Sequence, residues 1–256
     1  MNVPRKEIYR YMGYKGATPD DRTVALVEDC LNELLAVPAW EVTSCVTAVE
    51  TDMDTVRLLR GRGTGAQNAD DNEKIVLAEF ESRTLSSHLK GCDRAMILAA
   101  TIGPAPDELT DRYTESGEIT KAYVMQACGS AAVEELCDEF TAGLDIPGGF
   151  SLRTRYSPGY GDFPLQAQKE LLELLPEPGI VLTDTLMMIP SKSVTALIGI
   201  CADPDSTACS ENGSNKSENG SNKSENGSNK NGTSAGYSDP GAKCRCCSKT
   251  DCDFRL

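Results

Sequence analysis

The sequence predicts an α+β fold, in which a mixed or antiparallel sheet packs against helices. Three observations support this class: an unbroken apolar run, AMILAAT, is typical of a buried strand, residues 118–143 predict a long helix, and the other elements follow no regular strand–helix–strand alternation. The last observation argues against a doubly wound parallel sheet. We assign residues 1–205 to this folded domain.

The first helix is marked by a capping sequence. Thr18 is the expected N-cap, Pro19 and the acids Asp20 and Asp21 suit a first turn, and apolar residues recur at helical spacing as far as Leu35. Strands are predicted where apolar or alternating segments are separated by turn residues. The remaining assignments, in order, are strands at residues 40–49 and 55–59, a loop at 61–65, strands at 93–101 and 150–156, a helix at 165–175, and strands at 186–189 and 193–200.

The C-terminal part of the chain has a different composition. From residue 210 to residue 230 the heptapeptide SENGSNK occurs three times, without any apolar residue. A coiled coil needs apolar a and d positions, so this repeat cannot form one. A segment of this kind cannot bury a core, and we expect a flexible, disordered tether at residues 206–240, followed by a Cys-rich tail at residues 241–256.

Composition and charge narrow the classes of function. With 25 Lys and Arg against 39 Asp and Glu, the net charge is −14, which disfavours binding to nucleic acid or to an anionic membrane. The first residues lack the apolar core of a signal peptide, and no apolar run is long enough for a membrane span. We therefore expect a cytoplasmic protein whose 11 cysteines are reduced or bind metal, rather than forming disulfides.

The segment at residues 155–164, RYSPGYGDFP, is the most unusual of the chain and connects a predicted strand to a predicted helix. Its prolines stiffen the backbone, and its glycines let a ligand approach the backbone closely. Arg155 could hold a carboxylate through paired hydrogen bonds, while Tyr156 and Tyr160 offer flat faces with polar tips. These features predict a binding loop for a small zwitterion. An ordinary connection with an exposed arginine is the alternative.

This segment and two later motifs resemble a known family, the C-terminal activation domain of cobalamin-dependent methionine synthase, which binds S-adenosylmethionine. The matching residues are Arg155-x-x-Pro158-Gly159-Tyr160 with Pro164, Leu182-Thr183-Asp184-Thr185, and Met188-x-Pro190-x-x-Ser193-Val194. The resemblance covers roughly residues 95–200, and the N-terminal part looks like the short standalone form of the domain. It implies the fold of that activation domain. No folate, homocysteine or cobalamin module is recognisable in the sequence.

The resemblance also implies a set of ligand contacts. Arg155 would hold the methionine carboxylate, and the backbone of Ser157, Gly159 and Tyr160 would line the adenosyl group. Glu134 matches an acidic position that faces the ammonium group of the ligand. Its alternative is a place on a solvated helix face.

One further acid and the sole histidine complete the list of candidates. Asp184 falls where the family carries an acid, and a turn or N-cap role is the alternative. In the larger methionine synthase, the activation domain also contacts the ligand through an acidic residue near its start. No position of this sequence matches that residue. No catalytic residue is expected, because the sulfonium is already an activated methyl donor and the protein contributes alignment and exclusion of water. His88 is the only histidine of the chain, which rules out a multi-histidine metal site, and it is expected to be structural rather than catalytic.

By this resemblance, the chain would be a methyltransferase component that activates a separate cobalamin-dependent methionine synthase. S-adenosylmethionine would remethylate the cobalamin of the partner after a one-electron reduction of cob(II)alamin, with flavodoxin or ferredoxin as the electron donor. The chain alone would be inactive. Two alternatives stay open: a reactivation factor for a different corrinoid methyltransferase, and a noncatalytic chaperone of a corrinoid protein. A chaperone need not bind S-adenosylmethionine, whereas both activators must.

The tail carries a separate candidate site. Cys244, Cys247 and Cys252 form a C-x-x-C-x4-C pattern, whose thiolates could close on a zinc ion or an iron–sulfur cluster. Cys246 adjoins Cys247 and would strain to share that metal, so a fourth ligand could come from elsewhere, for example Cys201. A redox-active or corrinoid-facing group of thiols is one alternative, and no specific role is the other.

Overall fold

The computed structural model describes residues 1–60, 75–146 and 148–202. The helices in this part are α1 (Arg5–Tyr11), α2 (Asp21–Leu35), α3 (Arg83–Leu89), α4 (Ala105–Glu115), α5 (Ile119–Ala142) and α6 (Ala167–Glu173). The strands are β1 (Glu41–Thr51), β2 (Thr55–Leu59), β3 (Val76–Glu81), β4 (Cys92–Thr101), β5 (Phe150–Leu152), β6 (Val181–Leu182), β7 (Met188–Ile189) and β8 (Ser193–Ala202).

One 6-stranded sheet forms the centre of the fold, in the order β3-β2-β1-β4-β8-β5. Every neighbouring pair of strands in it is antiparallel, and β6 and β7 form a separate antiparallel pair. The predicted α+β class with an antiparallel sheet is therefore confirmed. The predicted loop at 61–65, the tether at 206–240 and the Cys-rich tail lie outside the described residues.

The central strands β4 and β8 are buried on both faces of the sheet. In β4, Met96 and Leu98 belong to a core cluster with Cys137 of α5, while Ile97 and Ala99 belong to another cluster with residues of α3 and α6. Successive side chains of a strand point to opposite faces, so a strand that is covered on both sides is apolar throughout. This arrangement explains the unbroken run AMILAAT and confirms the buried strand predicted there.

The N-cap of α2 is Asp20 rather than the predicted Thr18. The Asp20 side chain accepts a hydrogen bond from the backbone N–H of Thr23 at 2.7 Å, and its own backbone is extended, with φ −75° and ψ 164°. A carboxylate there satisfies a free N–H of the first turn and lies at the positive end of the helix dipole. Val27 and Leu31 of this helix are fully buried in the cluster that α2 forms with α5.

The long helix predicted over residues 118–143 is confirmed as α5, which has 24 residues. It packs on β4 and β8 and also contacts α1, α2 and α4, so it links the sheet to the other helices on this side. No helix within the described ranges is both long and apolar enough to cross a membrane.

Several elements differ from the sequence patterns. The helices α1 and α4 and the strands β3 and β6 were not predicted. The predicted strand at 150–156 is shorter, because β5 has 3 residues and an isolated bridge between Tyr156 and Leu197 lies beyond it. The predicted strand at 186–189 is shorter too, since Leu186 has a left-handed backbone (φ 64°) in the turn that precedes β7.

Cys92 and Cys201 form a disulfide, which corrects for these two residues the expectation that the cysteines are reduced or bind metal, whereas Cys30, Cys45, Cys128 and Cys137 are free thiols. The two residues face each other on β4 and β8, with their Cα atoms 4.1 Å apart. Directly opposed residues of antiparallel strands bring their side chains together. Sequence analysis misses such a pair because 109 residues separate it along the chain. The bond also removes Cys201 as a thiolate ligand for a metal site in the tail.

Candidate functional site

Arg155 lies at the free edge of the sheet, beyond β5, and its side chain is turned toward α5. The next residue, Tyr156, forms the isolated bridge with Leu197 of β8 and packs in the core on the opposite face. The alternation of side chains along an extended backbone separates the two residues in this way. Arg155 is only 8% exposed, so it is not the exposed arginine that the alternative assumed.

Two carboxylates of α5 engage the buried guanidinium. Arg155 Nη2 donates to Glu134 Oε2 at 2.8 Å, and Nη1 donates to Asp138 Oδ1 at 2.5 Å. Burial alone would lower the pKa of Arg155, but the neighbouring Cys137, Glu134 and Asp138 outweigh burial and hold that pKa above its ordinary value. The structure therefore brings the predicted residues Arg155 and Glu134 into direct contact, and it adds Asp138 to them.

The two carboxylates remain partly open to solvent, although the arginine is not. The side-chain exposure is 33% for Glu134 and 55% for Asp138, against 6% for Arg155. With one cation and two anions, the cluster formed by Arg155, Glu134 and Asp138 carries a net single negative charge. Such a cluster offers carboxylate oxygens to an ammonium group, while its guanidinium is screened from solvent.

Asp138 was not among the ligand contacts expected from the sequence. The signal that could have identified it is the spacing of four residues along α5, which places both carboxylates on one side of the helix. The partner on the other side, Arg155, comes from a distant part of the chain. Local patterns therefore cannot show that the two acids share one cation.

The segment that follows Arg155 is a compact loop held by its own backbone. Gly159 N–H donates to the carbonyl of Phe163 at 2.8 Å, Phe163 N–H donates to the carbonyl of Tyr160 at 2.9 Å, and Tyr160 N–H donates to the carbonyl of Ser157 at 3.2 Å. Gly159 has φ 90°, a conformation that side chains other than hydrogen rarely permit. Gly159 and Tyr160 are exposed, so this turn presents backbone and an aromatic face to solvent.

Aromatic rings support this loop from below. Phe163 is 1% exposed, and its ring lies 5.3 Å from that of Phe80 and 6.3 Å from that of Tyr156. The Tyr156 ring also contacts Tyr160, at 6.1 Å, and His88, at 4.8 Å. Offset and edge-on contacts of this kind fix ring orientations as well as burying area.

His88 has a structural place beneath the loop, as expected. Its Nε2 lies 2.8 Å from the carbonyl oxygen of Thr154, one residue before Arg155. Burial lowers the pKa of His88 below its ordinary value, so the ring is held in its neutral form. A neutral ring that donates to Thr154 helps to fix the backbone from which the Arg155 side chain departs.

Asp184 lies apart from the Arg155 cluster, on the exposed turn between β6 and β7. There it lines a cavity of about 460 Å³ together with Lys169 of α6. None of the other predicted site residues lines this cavity. The hairpin is tied to α6 because Gln168 Nε2 donates to the carbonyl of Leu186 at 2.5 Å. The ligand role of Asp184 stays a prediction.

The predicted metal ligands Cys244, Cys247 and Cys252 lie outside the described residues. Within the part of the chain that the structure describes, no group of His, Cys, Asp and Glu side chains is arranged to hold a metal ion. The metal site in the tail therefore stays a prediction as well.

Comparisons with known proteins find a similarity to a solved structure and none to a protein-family model or a curated sequence. No protein-family model matches the chain, and no curated protein sequence does. Among solved structures, the chain is similar to the crystal structure of the MetH reactivation domain bound to AdoHcy. The likeness covers 78% of this chain and 76% of the other, with 18% sequence identity and a TM-score of 0.47.

Proposed function

We propose that this chain binds S-adenosylmethionine and serves as the activation subunit of a separate cobalamin-dependent methionine synthase. The observation that carries the proposal is the contact of Arg155 with Glu134 and Asp138, directly before the loop at residues 157–164. The motif resemblance assigns ligand contacts to Arg155, Glu134 and this loop. Arg155 and Glu134 are in direct contact, and the loop follows Arg155 in the chain, which supports the proposal.

Charge complementarity supports S-adenosylmethionine as the ligand. Its methionine part has an ammonium and a carboxylate, and its sulfonium adds a further positive charge, so the ligand is a net single cation. The cluster of Arg155, Glu134 and Asp138 is a net single anion. In the proposed complex the ammonium group binds the two partly exposed carboxylates, and the methionine carboxylate displaces one of them from the Arg155 guanidinium and binds there.

The loop is proposed to bind the adenosyl part. Gly159 has no side chain, so the ligand can approach the backbone closely at this position. Tyr160 is 47% exposed and offers an aromatic face on which an adenine ring can stack. The proposed contacts of Ser157, Gly159 and Tyr160 thus lie on the exposed side of a turn whose underside is packed.

In the proposed reaction the residues of this chain bind and orient, and they transfer no proton. S-adenosylmethionine supplies an activated methyl group, which passes to the reduced corrinoid of the partner and leaves S-adenosylhomocysteine. The protein lowers the barrier by aligning the sulfonium methyl group with the acceptor and by excluding water. Arg155 and Glu134 fix one end of the ligand, and the turn at Gly159 and Tyr160 fixes the other. The proposal places the protein in the cytoplasm with its corrinoid partner and a flavodoxin or ferredoxin.

The test is an anaerobic methyl-transfer assay with purified components. The chain is mixed with a methionine synthase that lacks its own activation domain and holds cob(II)alamin, together with reduced flavodoxin and S-adenosylmethionine labelled in its methyl group. We expect a methylcobalamin absorption spectrum and transfer of the label to the partner, and neither without this chain. Failure to bind S-adenosylmethionine would exclude both activator functions. Binding without transfer to this partner would favour a different corrinoid protein.

A further inference from the structure

The carboxylate of Asp162 joins the loop at residues 157–164 to the start of α3. Ser82 Oγ donates to Asp162 Oδ1 at 2.6 Å, Thr84 N–H donates to the same oxygen at 3.0 Å, and Arg83 N–H donates to Oδ2 at 3.0 Å. The Thr84 hydroxyl donates to Oδ1 as well. Both carboxylate oxygens are therefore engaged by α3 and its N-cap.

Further hydrogen bonds hold the residues on both sides of this contact. On the α3 side, Ser82 is the N-cap and also accepts a hydrogen bond from Leu85 N–H at 3.0 Å, so its hydroxyl both accepts and donates. On the loop side, the Asp162 backbone N–H lies 3.2 Å from Thr84 Oγ1. Burial would raise the pKa of Asp162, but the hydrogen bonds from Ser82, Thr84 and Arg83 outweigh burial and lower it well below the ordinary carboxyl value.

The residue before Asp162 shows how closely the loop approaches α3. Gly161 has φ 56°, and a Cβ atom at this position would lie 2.7 Å from the hydroxyl oxygen of Tyr156 and against Thr84. A residue with a side chain does not fit without displacing its neighbours. The loop is thus held by a carboxylate at position 162 and by close contact at position 161.

We propose that Asp162 is a positioning residue for the ligand site, and that it holds the loop in its binding shape before the ligand arrives. Asp162 itself binds α3 rather than the ligand, and it acts through the turn at Gly159 and Tyr160. A loop that is already ordered loses less conformational entropy on binding, so the anchor raises affinity. The inference rests on the proposed function, because it assumes that this loop binds the adenosyl group.

The test compares Asp162 with a matched aspartate elsewhere. Asp20 is also exposed and also accepts a backbone N–H bond at the start of a helix, from Thr23 at 2.7 Å, but it caps α2 and does not touch the loop. We expect Asp162→Ala to bind S-adenosylmethionine about tenfold more weakly than the wild type, and Asp162→Asn to lie between them. Asp20→Ala is expected to lose thermal stability but to keep the wild-type affinity. Circular dichroism confirms folding at the titration temperature.

Hydrogen exchange of the ligand-free proteins gives a second readout. If Asp162 only capped α3, its loss would not change exchange in the loop at residues 157–164. In Asp162→Ala the amides of Gly159 and Phe163 are expected to exchange at least about tenfold faster, while the amides of β4 and β8 keep their protection. Unchanged loop exchange in Asp162→Ala, or unchanged affinity in a wild type that binds, would overturn the inference. If the wild type does not bind S-adenosylmethionine, the proposed function fails, and the exchange data alone still decide whether Asp162 orders the loop.

Discussion

Arg155 and Glu134 form an ion pair of 2.8 Å that joins the edge of the sheet to α5. The guanidinium is almost completely buried, whereas the Glu134 carboxylate keeps a third of its side chain exposed. A ligand can therefore reach the Glu134 carboxylate directly from solvent, whereas a ligand carboxylate that binds Arg155 must displace one of the acidic side chains that cover it. The two partners consequently have separable roles, and variants of each test different parts of the proposed site.

Replacing Glu134 tests the proposed contact with the ammonium group. Glu134→Gln keeps the shape of the side chain but removes the charge that faces the ammonium, and we expect about tenfold weaker binding of S-adenosylmethionine. Glu135→Gln is the matched control, because it removes the same charge from the adjacent position of α5. Calorimetric titration of both variants distinguishes a local contact from a change in the overall negative charge. Equal weakening in the two variants would argue against the contact.

Much of the fold could be predicted because its causes are local. The run AMILAAT identifies β4, since a strand covered on both faces must be apolar, and residues 118–143 identify α5. The capping sequence of α2 was recognised, but Asp20 and not Thr18 makes the capping hydrogen bond. Several residues near a helix start are suitable caps, and the packing of the helix selects among them. The sequence pattern alone therefore does not show which residue is the N-cap.

His88 predicts a pH dependence of stability that a single variant can isolate. Burial lowers the pKa of folded His88 below its ordinary value of 6.5, so the unfolded chain takes up a proton first as pH falls. The stability associated with the neutral ring is present above about pH 6.5 and is lost as pH falls toward the folded pKa. We expect the free energy of unfolding in urea to decrease between about pH 7.5 and 5.5.

His88→Gln is expected to show a clearly smaller decrease over the same range, because the carboxyl groups are common to both proteins. Gln also keeps a side-chain N–H that can donate to the carbonyl of Thr154. Equal pH dependence in the two proteins would show that the protonation of His88 does not differ between the folded and unfolded states.

Gly161 and Gly117 allow the cost of a close contact to be separated from that of backbone conformation. Both have left-handed backbones, with φ 56° and 80°, but a Cβ atom at Gly117 would have nothing within 4 Å, whereas one at Gly161 would collide with Tyr156. We expect Gly117→Ala to lower the free energy of unfolding by about 1 kcal/mol and Gly161→Ala by about 2 to 4 kcal/mol. Urea denaturation of both variants measures the difference. Similar losses would show that the loop can move away from α3.

The Cys-rich tail is expected to bind metal in the full-length chain. Thiolates in a C-x-x-C-x4-C pattern favour coordination when the protein is prepared without oxygen, and we expect about one zinc ion or one iron–sulfur cluster per chain. Cys247→Ser is expected to remove most of the metal, whereas Cys45→Ser, which alters a partly buried thiol of the folded part, should not. Elemental analysis and visible absorption measure both. Anaerobic protein without zinc and iron would contradict this expectation and leave the thiol alternative.

The candidate site was only partly accessible from sequence. Arg155 and Glu134 could be named from the motif resemblance, but nothing local indicates that Arg155 is buried or that Asp138 shares it. The disulfide between Cys92 and Cys201 was missed for the same reason, because pairing across strands depends on the register of the sheet. Contacts between distant segments follow from the folded arrangement, and a single sequence does not reveal them.

The central claim is that Arg155 holds the methionine carboxylate of S-adenosylmethionine, and calorimetric titration of Arg155 variants tests it most directly. Removing the guanidinium leaves the ligand carboxylate unpaired, which costs about 2 to 5 kcal/mol, so Arg155→Ala should bind roughly 30-fold more weakly or worse. Arg155→Lys should recover only part of the affinity, because the ammonium of lysine cannot form the two parallel hydrogen bonds that a planar guanidinium makes with a carboxylate. It also keeps a cation beside Glu134 and Asp138, which favours a folded variant.

Arg153→Ala is the control for this measurement, because the Arg153 side chain is exposed and its hydrogen bond to the carbonyl of Lys90 is long, at 3.4 Å. Circular dichroism and urea denaturation establish that each variant is folded under the conditions of the titration. We expect wild-type affinity in Arg153→Ala, intermediate affinity in Arg155→Lys and the weakest binding in Arg155→Ala. Equal affinity in the wild type and in both folded Arg155 variants would contradict it.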